Sequence, residues 1–257
     1  MCNNKYCKVE TVHNISELID VVSKSIGCSG RIFWFRGHYD SSWKLTAGIW
    51  RNYLAEDERN FVHRFRARAY SRKIDVPGYY ERAKWLSIMQ HYELPTRLLD
   101  WSRSPLIALF FALEKYIYEK DVITNEACIW MLQPHELNRL EKFGDFTPSI
   151  ESEKCKELID PAFDEGAEIN EKIYAVMSSE IDTRMFVQQG CFTLHSRSTL
   201  MDETPECNKY LTKILIPKEC AKDMAQQLDY CGFRKGDLFP DLINLSKEFK
   251  GIFKPRF

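Results

Sequence analysis

Residues 90–112 read QHYELPTRLLDWSRSPLIALFFA, a polar connection followed directly by an almost wholly apolar helix. Pro95 disfavours the helical conformation in the residue before it, so a preceding helix should end near Tyr92. Ser104 then fits a helix N-cap, and Pro105 fits the first helical position, where a missing N–H costs nothing. The pattern predicts a loop that is anchored by a helix at each end.

The elements outside this stretch mix helices and strands without regular alternation. Asn14 and Glu17 form a capping box, which predicts a first helix that ends at Gly27. Strands are predicted at 31–35, 127–132, 186–195 and 210–216, and helices at 57–72, 80–91, 105–118, 218–230 and 240–249. Such an order favours an α+β fold with a central mixed or antiparallel sheet flanked by helices over a doubly wound sheet.

The chain has 257 residues, 44% of them apolar, and contains no run typical of a linker. These features predict a single domain, 1–257, with a core at 31–250 and the first helix inside 1–27. Residues 146–170 are acid-rich and poorly periodic, which predicts an insertion or lid.

The nine cysteines include no C-x-x-C pair. An odd number of scattered cysteines is typical of reduced thiols in a cytoplasmic protein, and it predicts no metal site. The longest apolar stretch, 105–113, is about half of the roughly 20 residues that cross a bilayer, and the N-terminus is polar. We therefore expect a cytoplasmic protein with no membrane partner.

Residues 59–73 carry five arginines, one lysine and no acid. Phe61 and Phe65 lie four residues apart, so the segment is predicted to be an amphipathic helix with a basic outer face. Such a face can bind nucleic-acid phosphates. The alternative is a solvated face whose cations pair with the acids of 151–171.

Arg36 is the first candidate for ligand binding, because its predicted place is the end of a strand. Its guanidinium is a planar fork that suits phosphate or carboxylate, and Gly37 beside it allows a turn or the close approach of a ligand. The alternative for Arg36 is an internal ion pair with an acid such as Asp100. Arg97 lies three residues before Asp100, so these two could instead pair with each other.

The polar side chains of the 90–112 stretch supply further candidates. Gln90 and His91 end the preceding helix, and the imidazole could serve as an acid or base, the alternative being a hydrogen-bonded structural residue. Thr96 can cap or turn the backbone, and Trp101 offers a stacking surface or core area.

Residues 184–195, RMFVQQGCFTLH, predict a strand with one polar face. Gly190 allows a turn, and the amides of Gln188 and Gln189 before it can bind a base, or else belong to a buried turn. No nucleophile elbow, phosphate-binding loop, zinc-protease motif or kinase motif is present. Arginines, amides, a histidine and an aromatic ring together suit a nucleotide or dinucleotide.

In order along the chain, these motifs resemble the FRG domain family: FRG at 35–37, the stretch 90–112, the pattern RxxxQxGxFTxH at 184–195, and LFPDL at 238–242. The resemblance extends over residues 31–250. Glu93 stands where the family often has Gly, and Ser102 where it often has Thr. The resemblance to the FRG domain family implies a bacterial protein that acts as an effector or sensor in bacterial or phage defence.

A second resemblance is to the ADP-ribosyltransferases, in which a strand-end basic residue binds NAD and a later Gln or Glu acts near the ribose. It implies NAD as substrate, and it places Arg36, Thr96 and Gln188 or Gln189 in those roles. The catalytic Glu of that group has no unmistakable counterpart in this sequence, although Glu180 precedes the third motif and is taken as the candidate. The alternatives are a nucleic-acid-binding or sensor module without catalysis, and a scaffold in which the motifs only stabilise the fold.

The candidate ligand-binding residues are Arg36, Gly37, Gln90, Thr96, Arg97, Asp100, Trp101, Arg184 and Gln189, and the candidate catalytic residues are His91, Glu180 and Gln188. We expect Arg36, Gln90, Arg97, Asp100 and Gln188 to converge in one pocket.

Overall fold

The structure is a computed structural model that describes residues 7–72, 75–118, 125–168, 170–178, 183–196 and 200–252. Its strands are β1 (Lys8–Thr11), β2 (Trp34–His38), β3 (Leu98–Ser102), β4 (Ala127–Leu132), β5 (Ile173–Val176), β6 (Gly190–His195) and β7 (Leu211–Ile216). Its helices are α1 (Ile15–Ser29), α2 (Ile49–Asn52), α3 (Ala55–Ala69), α4 (Arg82–His91), α5 (Pro105–Tyr118), α6 (Pro134–Leu140), α7 (Lys156–Ile159), α8 (Thr183–Val187), α9 (Lys218–Tyr230), α10 (Lys235–Leu238) and α11 (Leu242–Ile252).

The described strands form one seven-stranded sheet in the order β1-β7-β4-β2-β3-β6-β5. The pair β1–β7 is parallel and the other neighbouring pairs are antiparallel, so the sheet is mixed. The predicted α+β class with a central mixed sheet is confirmed. None of the helices in the described ranges combines the length and apolar character needed to cross a membrane.

Local capping signals set the start of two helices. The side chain of Asn14 accepts a hydrogen bond from the Glu17 N–H at 2.9 Å, so α1 begins where the capping box predicts. The helix continues past Gly27 and ends at Gly30, whose φ of 61° is left-handed, because the chain leaves the helical region only there. Pro105 is the first residue of α5, as predicted.

Three strands differ from the prediction. The predicted loop after Pro95 contains β3, which pairs with both β2 and β6. The strand predicted at 31–35 is β2, three residues later, so Arg36 lies inside a strand and not at its end. In the third motif, residues 186–189 are the end of α8 and a turn, and the strand begins at Gly190.

Two groups of helices cover one face of the sheet, and α6 with residues 201–210 packs on the other. The first group, α1, α5 and α9, packs on β2, β4 and β7. The second group, α3 and α4 with residues 150–163, packs on β3, β5 and β6. The acid-rich segment 146–170 therefore contributes fully buried side chains, Cys155 and Leu158 among them, to the core. Its role as an insertion or lid stays a prediction.

Candidate functional site

The two strands β2 and β3 are neighbours in the sheet but pair at one position, Phe35 with Ser102. An antiparallel ladder would continue with Gly37 opposite Asp100. Instead, Nη1 of Arg36 donates to the main-chain oxygen of Asp100 at 2.6 Å. A guanidinium therefore takes the place of a main-chain donor where the two strands separate.

Gly37 permits the close contact between β2 and α5. A Cβ atom on Gly37 would lie 1.9 Å from the carbonyl oxygen of Ala108 and 2.6 Å from the nitrogen of Ala112. The close packing of α5 on β2 therefore requires glycine at position 37. This reason differs from the turn that the sequence predicts. Gly37 also borders a cavity, and its part in ligand binding stays a prediction.

A cavity of about 570 Å³ lies over β2 and β3, bordered by α2, α4, α5 and α8. The predicted site residues that line it are Arg36, Gly37, Gln90, His91, Thr96, Asp100, Trp101, Arg184 and Gln188. Two predicted residues, Arg97 and Gln189, are not among the lining residues. Glu180 lies outside the described residues.

A chain of hydrogen bonds crosses one wall of this cavity. Thr96 donates from Oγ1 to Oε1 of Gln90 at 2.6 Å, and Nε2 of Gln90 donates to both carboxylate oxygens of Asp100 at 2.9 Å. Nη1 of Arg36 lies 3.7 Å from Oδ2 of Asp100. The internal contact between Arg36 and Asp100, one of the two alternatives from sequence, is therefore present.

Arg36 and His38 have shifted acidities because they lie inside the sheet. Burial lowers the pKa of Arg36 to about 10, against the effect of Asp100, so the guanidinium stays cationic near neutral pH. Burial, with Arg36 and Arg51 nearby, lowers the pKa of His38 to about 3. The neutral imidazole accepts a hydrogen bond at Nε2 from Nε of Arg36 at 3.1 Å. Within the described part of the chain, Nη2 of Arg36 has no hydrogen-bond partner.

Arg97 points away from the cavity. Its Nε and Nη2 donate to the carboxylate of Glu58 at 2.9 and 2.5 Å, and its Nη1 donates to the carbonyl of Leu158. Both side chains of the ion pair are buried, with Arg97 at 2% and Glu58 at 0% exposure. Successive side chains of an extended segment alternate in direction, so Thr96 can face the cavity while Arg97 faces the second core. The expected convergence thus leaves Arg97 out, and its partner is not Asp100.

Trp101 packs mainly as a core residue. It is 3% exposed, and its indole N–H donates to Oγ1 of Thr193 at 3.0 Å. Thr96 is fully buried, and its hydroxyl also accepts from the N–H of Leu98 at 3.0 Å, so it fixes the turn into β3. His91, the last residue of α4, borders the cavity.

The third motif reaches the cavity through Gln188 and Arg184. Nε2 of Gln188 donates to the carbonyl of Leu238 at 2.9 Å. The main-chain carbonyl of Gln188 accepts a hydrogen bond from the hydroxyl of Ser102 at 2.8 Å. A threonine at 102 would keep that hydroxyl. The guanidinium of Arg184 lies 4.5 Å from the ring centre of Phe239. Gln189 adopts a left-handed φ of 49° in the turn before β6.

Glu93 has a φ of 62°, a left-handed conformation. Glycine adopts this conformation without the steric strain that a Cβ atom adds. The carboxylate of Glu93 lies 3.5 Å from Nη1 of Arg184.

The sequence did not indicate Arg51 and Asn52, which line the cavity from α2. They belong to no recognisable motif, and α2 has only four residues. Arg51 is exposed, and its Nη2 donates one long hydrogen bond of 3.4 Å to the carbonyl of Thr46, within the part of the chain that the structure describes.

The basic segment is less uniform than predicted. Arg64 and Arg68 are exposed, but Arg66 is buried, with its guanidinium 4.1 Å from the ring centre of Tyr79. Two acids of the 146–170 segment, Asp160 and Asp164, pair with Arg82 of α4 at 2.8 and 2.6 Å. A nucleic acid at 59–73 stays a prediction.

Among the described residues, no group of three or more His, Cys, Asp or Glu side chains is arranged to hold a metal ion. Residues 31–121 match the family model of the FRG domain. The suspected resemblance is confirmed for this segment, which contains β2, α4, β3 and α5, while the motifs at 184–195 and 238–242 lie outside it. No curated protein and no solved structure matches the chain significantly.

Proposed function

We propose that the chain binds a nucleotide, NAD foremost, in the cavity over β2 and β3. The observation that carries this proposal is that three arginines, Arg36, Arg51 and Arg184, border one cavity of about 570 Å³. The volume falls in the range of roughly 300 to 1,000 Å³ that is usual for small-molecule sites. Guanidinium groups are the preferred partners of phosphate because they offer paired donors in a plane.

Charge supports an anionic ligand. The acids that line the cavity are Glu93 and Asp100. Asp100 already accepts two hydrogen bonds from Gln90, and Glu93 lies beside Arg184. Arg51 is exposed, and one guanidinium nitrogen of Arg36 remains available. These two arginines are the ones that we assign to the phosphates.

The amides and the histidine take the other roles. The side-chain amide of Asn52 and the side-chain carbonyl of Gln188 can orient a base or ribose, whereas Gln90 holds Asp100 in place. His91 stands at the cavity as a candidate acid or base. To Asp100, which Gln90 holds in place, we assign the stabilisation of positive charge that develops on a ribose.

We further propose that the reaction is transfer of ADP-ribose, as the sequence resemblance implies. The bond between nicotinamide and the ribose C1 carbon breaks, nicotinamide leaves with the bonding electrons, and an acceptor nucleophile bonds to C1 and loses its proton. Gln188 and Glu180 are the catalytic candidates that this reaction would use. A role as an effector in bacterial or phage defence is the biological setting that the FRG resemblance implies.

The test measures the binding of NAD, ADP-ribose, ADP and adenosine to the protein by thermal unfolding and by calorimetry. A ligand at 100 times its Kd stabilises a protein by about 2.7 kcal/mol. The Arg51→Ala variant should keep the apo melting temperature, since its side chain is exposed, and should bind NAD at least about tenfold more weakly, a loss of about 1.4 kcal/mol. Arg31→Ala is the matched control, because Arg31 pairs with Asp145 outside the cavity.

Arg36→Lys tests the planar fork separately. Lysine keeps the charge but cannot reach both Asp100 and His38, so we expect a lower apo melting temperature together with loss of the NAD response. If the protein binds none of these nucleotides, or if Arg51→Ala binds NAD with full affinity, the proposal is wrong. Release of nicotinamide from NAD by the wild-type chain, with or without an acceptor, reports on the chemistry.

A further inference from the structure

A second depression, of about 540 Å³, lies between α3 and α4. We call it the α3–α4 groove. Its lining residues are Phe61, Arg64, Phe65, Arg68, Ala69, Arg72, Val76, Ile88, Tyr92 and Leu94.

The floor of the α3–α4 groove is apolar. Apart from the three arginines, every lining residue is aliphatic or aromatic. Tyr92 is 56% exposed, and its ring centre lies 6.4 Å from that of Phe65. Contiguous exposed apolar surface that is rimmed by polar groups is typical of a site for a partner.

One edge of the groove is cationic. Arg64 and Arg68 lie four residues apart on α3, about 6 Å along the helix axis, and both are exposed. Arg72 follows in the next turn, where Nη1 donates to the carbonyl of Arg68 at 2.9 Å and to the hydroxyl of Ser71 at 3.0 Å. No acid is among the described lining residues, and none of these arginines has an ion-pair partner in the described ranges.

We propose that the α3–α4 groove is a docking site for an acidic amphipathic helix of a partner protein. A helix laid in a groove between two helices presents apolar residues at spacings of three and four, which the floor can bury. Carboxylates four residues apart on that helix would repeat at the spacing of Arg64 and Arg68. Charge and apolar pattern are thus both complementary to one kind of ligand.

A nucleic acid fits the groove less well. Its phosphates could meet the arginines, but its bases need hydrogen-bond partners at their edges. Apart from the arginines, the lining offers one polar side-chain atom, the hydroxyl of Tyr92. Bases buried on this floor would lose hydrogen bonds with water without replacement.

The groove lies beside the nucleotide cavity. Ile88 and Tyr92 of the α4 region line the groove, Gln90 and His91 line the cavity, and Leu94 lines both. A docked helix would therefore rest against the connection that carries the cavity residues. The docking proposal does not depend on what the cavity binds.

The test is selection from a displayed library of random 15-residue peptides, the length of α3, on the full chain. Peptides that also bind the Arg64→Glu, Arg68→Glu double variant are discarded. We expect enrichment of sequences with Asp or Glu four residues apart and Leu, Ile or Phe at helical spacing. The most enriched peptide is then synthesised and its affinity measured by fluorescence anisotropy.

Matched variants locate the binding surface. Arg68→Glu should weaken peptide binding by at least about tenfold. Tyr92→Ser should also weaken it, because the apolar floor shrinks. Arg59→Glu, on the same helix but outside the groove, should bind within about twofold of wild type. Melting temperatures of the three variants check that each is folded.

Four outcomes would overturn the proposal. They are no acidic and apolar enrichment, binding that Arg68→Glu leaves unchanged, tighter binding of single-stranded DNA or RNA that Arg68→Glu abolishes, and self-association that depends on Arg68. The third outcome would make the groove a nucleic-acid surface, and the fourth an interface between copies of this chain.

Discussion

Two arginines from the segment that matches the FRG domain occupy opposite environments. Arg36 borders the cavity, 19% exposed at its side chain, and binds a main-chain oxygen of the neighbouring strand. Arg97 is buried and forms a two-bond ion pair with Glu58. The first is placed to meet a ligand, whereas the second connects α3 to the start of β3 and to residue 158.

The buried pair gives a prediction about stability. Arg97→Ala leaves the Glu58 carboxylate buried without a partner, which should reduce the free energy of unfolding by about 3 to 5 kcal/mol. Arg139→Ala is the control, since Arg139 is 52% exposed in its ion pair with Glu136, which should contribute less than about 1 kcal/mol. Urea denaturation measures both. Equal, small losses of unfolding free energy in the two variants would contradict a large contribution from the buried pair.

His38 should make stability depend on acidity. Its folded pKa is about 3, and its unfolded value is about 6.5. Between these values the unfolded chain binds a proton that the folded chain does not, so stability falls as pH is lowered from 6.5 towards 3, by at most about 1.4 kcal/mol per pH unit. Above pH 6.5 the residue has no effect. The difference in pH profile between wild type and His38→Gln should have this slope, and identical profiles would contradict it.

At the scale of elements, the contact between β2 and α5 shapes one wall of the candidate site. The site depends on it because β2 carries Arg36, and α5 supplies the cavity residues Ala108 and Phe111. The helix can lie this close only because residue 37 has no side chain. Any displacement of α5 would move one wall of the cavity.

Substitution of two glycines tests this packing. Gly37→Ala forces a methyl group against main-chain atoms of α5 and should destabilise by about 3 kcal/mol or more. Gly27→Ala is the matched control, because Gly27 lies inside α1 with nothing within 4 Å of the added Cβ. It should raise stability by about 0.5 to 1 kcal/mol, since alanine favours the helix. A Gly37→Ala variant as stable as wild type would show that α5 can move away at little cost.

At the scale of the whole molecule, the described strands form one continuous sheet, with α6 on one face and two groups of helices on the other. The two helix groups lie on different halves of that face, and the cavity is bordered by members of both, α5 from the first and α4 from the second. The site therefore depends on the assembled sheet and on no single motif.

This architecture predicts unfolding as one unit. Calorimetry should give a single transition whose calorimetric and van't Hoff enthalpies agree, because separating the halves would expose both cores. Leu158→Ala, in the second core, and Leu109→Ala, in the first, should each lower the same transition by about 2 to 5 kcal/mol. Two resolved transitions, each moved by one variant only, would divide the chain into two domains.

Local signals in the sequence predicted the parts of the fold that short segments decide. The cap at Asn14, the start of α5 at Pro105, and the bounds of β4 and α9 agree with the structure. Each depends on side chains within a few residues, or on a periodicity that the segment itself contains. Nine of the twelve site residues that the same kind of reasoning selected line the cavity.

Only the tertiary structure decided β3, the pairing of Arg97 with Glu58, the burial of Arg66 and the presence of Arg51 at the cavity. Each depends on a partner distant in sequence: β3 becomes a strand because β2 and β6 flank it, and Arg97 turns inward because α3 brings a carboxylate there. The free energy of such contacts is gained only when distant segments meet, so no window of the sequence contains it. The sequence by itself determined the elements and the polar inventory of this protein, and the assembly of the sheet determined which of those side chains face the cavity.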